Sequence, residues 1–206
     1  FGVASTSLPA ALLMQRIGRK RAFVGSALIA ALAALGMAAS IALHNFWTFC
    51  ASAYFIGANM AFVQQYRFAA VEFVAPALAG RAVSTVMLGT LAAALVGPFL
   101  GQTVAHVGDW PEFTATYVAL SALCVTASLI LTRLPDVVPP PRSDSPAEGR
   151  SLSTLLRVPD FRLAVLCGLA SYAVMSFIMT ATPLSMHVHD GFATADTTRV
   201  ITAHLL

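Results

Sequence analysis

The sequence predicts an all-α protein, a polytopic bundle of transmembrane helices. Hydrophobic residues make up 58% of the 206 residues, and charged residues make up only 10%. The mean hydropathy is +0.78. Soluble domains carry about 25% charged residues, so this chain has too few charges to cover a surface that faces water. The apolar residues also come in runs of about 20, the length that a spanning helix needs. A soluble domain and a disordered chain are both excluded.

Five apolar runs are long enough to cross a membrane. We expect spanning helices at 22–43, 46–64, 82–104, 113–132 and 161–183. A partial helix precedes Gln15, and a sixth span begins near Thr197. A polar segment with Pro76 and Gly80 as breakers separates the second run from the third. The chain begins with Phe1 and stops inside an apolar run, which we interpret as a fragment of a longer protein.

The segment before the fifth run has a different composition. It contains the run Pro139-Pro140-Pro141, several serines and charges of both signs. Such a composition is typical of a soluble linker. We therefore expect a helical part at 1–132, a linker at 133–160 and a second helical part at 161–206.

The basic residues test this order of spans. If the turn around Arg19 is cytoplasmic, all of the 12 basic residues except Arg199 lie on the cytoplasmic side. The positive-inside rule predicts that asymmetry. We expect a multi-pass integral membrane protein, with membrane lipids as partners. The net charge is only +3 and no basic stripe is present, so we expect no nucleic-acid partner.

The sequence carries no signature of an enzyme. It contains neither HExxH nor GxSxG, so we expect no catalytic residues. The three cysteines, Cys50, Cys124 and Cys167, form no CxxC pair, so we also expect no metal site. Nothing in the chain indicates a cofactor.

The turn between the first two helices carries a cationic motif. Residues 11–21 read ALLMQRIGRKR, and four of them match motif A of the major facilitator superfamily, G-x-x-x-D-R-x-G-R-K/R: Arg16, Gly18, Arg19 and Lys20. The chain therefore resembles this superfamily of twelve-helix transporters, and its bacterial members in particular, which implies a place in a bacterial inner membrane. The resemblance implies that the turn is a cytoplasmic gating hairpin. The Asp of the motif, which takes part in the latch of the outward-facing state, is Gln15 here.

Two further stretches bear on the resemblance. Gly97-Pro98-x-x-Gly101 is similar to the end of motif C, which implies a Gly-Pro kink in helix five; a generic kink is the alternative. Gly57 matches the fourth-helix signature, but the Arg of that signature is Ala53. The resemblance implies that 1–132 holds the end of helix two to helix six. The linker then joins the halves, and 161–206 holds helix seven and the start of helix eight.

The resemblance implies a secondary transporter of a small solute, working by alternating access, with proton coupling left open. Helices four and seven of the superfamily line the cavity. At one-turn spacing, helix four offers Phe55, Asn59, Phe62 and Tyr66, and helix seven offers Tyr172, Ser176, Met179 and Pro183. Our candidates for solute contact are Asn59, Tyr172, Ser176 and Met179. Hydrogen bonding between helices is the alternative role for the polar ones. A structural or interaction membrane protein is the alternative function.

Overall fold

The computed structural model describes residues 1–105, 107–108, 110–135 and 152–205. All regular secondary structure within these ranges is helical. The chain forms two compact units, Phe1–Pro139 and Pro140–Leu206. Each unit is described by itself.

The helices follow the order of the predicted runs. The first unit contains α1 (Gly2–Ile17), α2 (Arg19–Ala42), α3 (Phe46–Val63), α4 (Tyr66–Glu72), a 3-10 turn (Pro76–Leu78), α5 (Ala79–Ala105) and α6 (Thr114–Leu131). The second unit contains α7 (Leu152–Leu155), α8 (Pro159–Leu184), a π-helical turn (Ser185–His189) and α9 (Thr194–Leu205).

The prediction of five complete spans is confirmed. Within the described residues, five helical stretches are long and apolar enough to cross a membrane: Arg19–Ala42, Phe46–Glu72, Pro76–Ala105, Thr114–Leu131 and Pro159–His189. The second stretch is longer than expected, because the helix resumes as α4 and reaches Glu72. Gly80 was expected to break the chain but lies inside α5. A single helical Gly costs only about 1 kcal/mol, which the rest of a long helix outweighs.

The ends of the helices follow local chemistry. Asn45 begins α3, and its side-chain oxygen accepts a hydrogen bond from the Thr48 N–H at 3.1 Å, as an N-cap residue does. Pro76 is at the start of the 3-10 helical segment, and Pro159 is at the start of α8. A missing N–H costs nothing at those positions, because it would have no partner within the helix.

Helix α2 is the centre of the first unit and packs against α1, α3 and α6. Its buried residues are small, apart from Phe23 and Met37: Ala22, Ser26, Ala27, Ala30, Ala31, Ala33, Ala34, Ala38 and Ser40. Small side chains let helix backbones approach closely, which is the main source of packing energy between helices in lipid. The Ser128 hydroxyl on α6 also donates to the Val24 carbonyl on α2 at 3.3 Å.

Helix α1 crosses α3 through two glycines. A Cβ atom on Gly2 would lie 2.4 Å from the Tyr54 carbonyl oxygen and 3.0 Å from the Gly57 Cα. Gly2 therefore admits no larger residue without a shift of the backbone. The crossing fixes which side chains of the two helices meet.

Helices α5 and α8 bury almost none of their side chains within their own units. Ala105 is the only buried residue of α5, and none of the described residues of α8 is buried. Helix α5 packs on α4 and α6, and α8 packs on the π-helical turn and α9. In that turn the His187 Nδ1 lies 3.1 Å from the Phe192 carbonyl oxygen.

Candidate functional site

The cationic hairpin is a turn of one residue between two helices. Gly18 has φ 86° and ψ 156°, a combination that is open essentially to glycine alone. The Gly18 N–H donates to the Met14 carbonyl at 3.1 Å, and the Gly18 carbonyl accepts from the Ala22 N–H at 3.2 Å. The turn thereby brings together the motif residues Arg16, Gly18, Arg19 and Lys20.

Arg19 makes an ion pair that the motif did not predict. Its Nη2 lies 2.5 Å from Oε1 of Glu72, at the end of α4. The two side chains are 27% and 42% exposed, so water screens the pair in part. A pair of this kind contributes up to about 1 kcal/mol. The contact ties the hairpin to the end of the span formed by α3 and α4.

A signal for this partner is present in the sequence. Glu72 is the only acidic residue in the first 108 residues. Any carboxylate partner for Arg19 within that part of the chain therefore has to be Glu72. Glu72 was not predicted as the partner, because the family motif places its acid at position 15, where this chain has Gln15.

Beneath the hairpin lies a tightly packed cluster. Phe23 is 1% exposed, and its ring meets the Tyr66 ring edge-on with 4.7 Å between the centroids. The other buried members are Ala10, Met14, Ala22, Ala61 and Ala69, with Phe62, Tyr66, Phe73, Leu131 and Leu134 packed around them. This end of the first unit is closed by side chains from α1, α2, α3, α4 and α6.

The predicted cavity face of helix four, which is formed here by α3 and α4, has surroundings that differ along its length. Phe62 and Tyr66 are partly buried against the cluster, whereas Phe55 is 48% exposed. Spacing along one helix shows which residues align, but the neighbouring helices decide which of them are covered. Asn59 lies between these two regions and is partly buried. Its Oδ1 is enclosed and accepts no hydrogen bond from the described residues.

The candidates on helix seven lie on α8. Tyr172 is 64% exposed, Ser176 is exposed and Met179 is partly buried. They lie one helical turn apart along one side of α8, as the spacing predicted. Asn59 belongs to the first unit and these residues belong to the second. Their use in one cavity stays a prediction.

The Gly-Pro stretch lies within α5, which continues through Pro98 to Ala105. Gly97 and Gly101 line a groove of about 250 Å³ between α5 and α6. The Thr116 hydroxyl on α6 donates to the Gly101 carbonyl at 3.2 Å. Because glycine has no side chain, Gly97 and Gly101 leave space between α5 and α6 at this groove. The kink at Pro98 stays a prediction.

The fold and the hairpin define a class of protein. A bundle of apolar spanning helices, joined by a cationic turn, is an integral membrane protein with several passes. Residues 1–203 match the family model described as the Major Facilitator Superfamily. The chain therefore belongs to this superfamily, as a bacterial-type member, and the family is one of transporters rather than enzymes.

Two curated bacterial proteins are similar to the chain. The riboflavin transporter RfnT of Brucella anthropi is 37% identical over 191 residues, which are 92% of this chain and 48% of that protein. The uncharacterized MFS-type transporter YddS of Bacillus subtilis is 26% identical over 219 aligned residues. The alignment covers all of this chain and 50% of YddS. The chain thus spans about half the length of these relatives. No solved structure matches it at a significant level.

Proposed function

We propose that the full-length protein is a secondary transporter of a small solute and works by alternating access. The match of residues 1–203 to a family of transporters carries this proposal. The Arg19–Glu72 pair supports it, because it ties the motif hairpin to the end of a span. In such carriers the solute binds near the middle of the membrane, and two helical bundles rock around it.

We further propose that the solute is riboflavin or a molecule of similar chemistry. The support is the 37% identity with a riboflavin transporter over 92% of the chain. Riboflavin is a flat conjugated ring system with a polar edge and a chain of hydroxyl groups. Aromatic rings bind such a surface by stacking, and Tyr172 and Phe55 both expose a large part of their rings.

Uptake of riboflavin tests this proposal. The full-length protein is expressed in a bacterial host that neither makes nor imports riboflavin, and growth on low riboflavin is measured. We expect growth with the protein and none with an empty vector. A host that stays dependent on high riboflavin, although the protein is present in its membrane, would contradict the proposed solute. Failure to take up any of a panel of small solutes would favour a structural membrane protein.

Proton coupling is tested in the same cells. The sequence places no acidic residue deep in a complete span, so a coupled carrier would need its protonatable group elsewhere. Coupling predicts that a protonophore abolishes accumulation of riboflavin above the external concentration. Uptake that reaches the external concentration and ignores the protonophore indicates facilitated diffusion.

Tyr172 is the aromatic solute contact that we propose on α8. If its ring stacks on the solute, Tyr172→Phe should retain uptake, and Tyr172→Ala should raise KM about tenfold, the equivalent of about 1.4 kcal/mol. If its hydroxyl binds, both variants should raise KM. Phe177→Ala is the matched control, because Phe177 is 73% exposed on another side of the same helix. Normal KM in both Tyr172 variants would place Tyr172 in packing between helices.

A further inference from the structure

Two hydroxyl groups meet on the surface of the first unit, next to Phe55 of the predicted cavity face. The Ser5 Oγ on α1 and the Tyr54 Oη on α3 lie 2.9 Å apart. Both residues are exposed, and the Tyr54 side chain is 41% exposed. Neither residue is among the site residues predicted from the sequence.

The glycine crossing of α1 and α3 builds this pair. Because a Cβ on Gly2 would lie 2.4 Å from the Tyr54 carbonyl oxygen, the two backbones touch one turn before Ser5. Ser5 follows Gly2 by three residues and thus lies on an adjacent part of the same face. The close approach lets a short serine side chain reach the tyrosine hydroxyl.

The hydrogen bonds of the two hydroxyl groups leave the Tyr54 oxygen able to accept one more hydrogen bond. The Ser5 Oγ also lies 3.0 Å from the Phe1 carbonyl oxygen and 3.3 Å from that of Gly2. A serine hydroxyl has one proton, and donation to a backbone carbonyl leaves Ser5 as an acceptor. The Tyr54 hydroxyl then donates to Ser5, and its own oxygen keeps a free lone pair. The group that this oxygen can bind is a donor, an O–H or an N–H.

The pair lies within the depth of the membrane. Tyr54 follows the start of α3 at Phe46 by eight residues, about 12 Å along the helix axis. A hydroxyl oxygen that faces hydrocarbon without a hydrogen-bond donor has an unfavourable free energy, because it loses its bound water and gains no other partner. Polar groups at such depths usually face a water-filled cavity or a neighbouring helix.

Aromatic surface lies beside the hydroxyls. The rings of Tyr54 and Phe55 stand edge to face, with 5.7 Å between centroids and 83° between planes. Both rings are exposed, Phe55 at 48%. The surface therefore offers a flat apolar contact next to a hydrogen-bond acceptor.

We propose that Ser5 and Tyr54, together with the Phe55 ring, form a solute-contact site. Its ligand is a flat aromatic solute that carries hydroxyl or N–H donors. This inference rests on the proposed transport function and deepens it, because it adds residues of α1 and α3 that set the specificity.

A purely structural role makes a different prediction. Hydroxyl pairs between membrane helices also hold the helices together. In that role Tyr54→Phe and Ser5→Ala break the same bond, so they lower the thermal stability equally and leave KM unchanged. A contact site predicts that loss of the Tyr54 hydroxyl raises KM more than loss of the Ser5 hydroxyl, because Tyr54 presents the free acceptor.

The experiment measures riboflavin uptake and thermal stability of full-length Tyr54→Phe and Ser5→Ala. We expect Tyr54→Phe to raise KM roughly three- to tenfold, the size of one hydrogen bond, with the maximal rate and the membrane level preserved. Ser128→Ala is the control, because Ser128 makes a hydroxyl bond between α2 and α6 at 3.3 Å. That variant should lose stability and keep its KM.

The outcomes separate this inference from the proposed function. Uptake by the wild-type protein with an unchanged KM in Tyr54→Phe would overturn the contact site and leave the transport function standing. A wild-type protein that neither takes up riboflavin nor binds it after purification would overturn the proposed solute, and this site with it.

Discussion

Arg19→Glu should lower solute uptake by the full-length protein about tenfold. The variant removes the ion pair with Glu72, which lies 2.5 Å away, and puts two like charges in its place. Loss of a partly exposed pair costs up to about 1 kcal/mol, and like charges at close range add a further cost of about 0.2–0.5 kcal/mol. A total near 1.4 kcal/mol shifts an equilibrium tenfold. Initial uptake rates, normalised to the amount of protein in the membrane, give the measurement.

A charge swap identifies the cause. The double variant Arg19→Glu with Glu72→Arg restores opposite charges and should recover most of the uptake. Arg81→Glu makes the same change of charge on the exposed start of α5 and should have little effect. If Arg19→Glu and Arg81→Glu reduce uptake equally, the hairpin acts only as a topology signal.

Gly2→Ala should destabilise the first unit by about 1–3 kcal/mol, the usual cost of overpacking. The new Cβ would lie 2.4 Å from the Tyr54 carbonyl oxygen, which belongs to the backbone and cannot rotate away. The two helices have to separate, and the Ser5 hydroxyl moves away from the Tyr54 hydroxyl. A lower unfolding temperature of the protein in detergent is the expected result.

Gly25→Ala is the matched control for this prediction. It adds the same methyl group inside α2, where no atom of another described helix lies within 4 Å of the new Cβ. Replacing a glycine within a helix by alanine stabilises it by about 0.5–1 kcal/mol. Equal unfolding temperatures for the two variants would contradict the close crossing of α1 and α3.

The cationic hairpin shows how far a sequence pattern reaches. The glycine between two cations predicted a turn, and the structure places Gly18 in a conformation that only glycine adopts readily. The pattern did not predict the partner of Arg19. Glu72 is 53 residues further along the chain, and nothing in the local order of residues says that the two helix ends meet.

Helix four shows where periodicity stops being informative. Phe55, Asn59, Phe62 and Tyr66 share a face by their spacing, and on that ground they were predicted to line one cavity. Phe23 and other side chains of neighbouring helices cover the lower half of that face. At the other end of that face, Phe55 is 48% exposed. A single helix cannot show which part of its face a neighbour covers.

The sequence by itself determined the properties that depend on the solvent of each segment. Length and apolarity decided that five stretches among the described residues are helices able to span a lipid bilayer, because an unpaired backbone in hydrocarbon costs too much for any form other than a helix or a closed barrel. The tertiary structure alone decided the Arg19–Glu72 pair, the Ser5–Tyr54 pair and the crossing at Gly2. These contacts join residues about 50 positions apart, and they depend on how closely small residues let the helices approach. Local composition determines where the helices form, and the distances between the helices determine which side chains meet at the site.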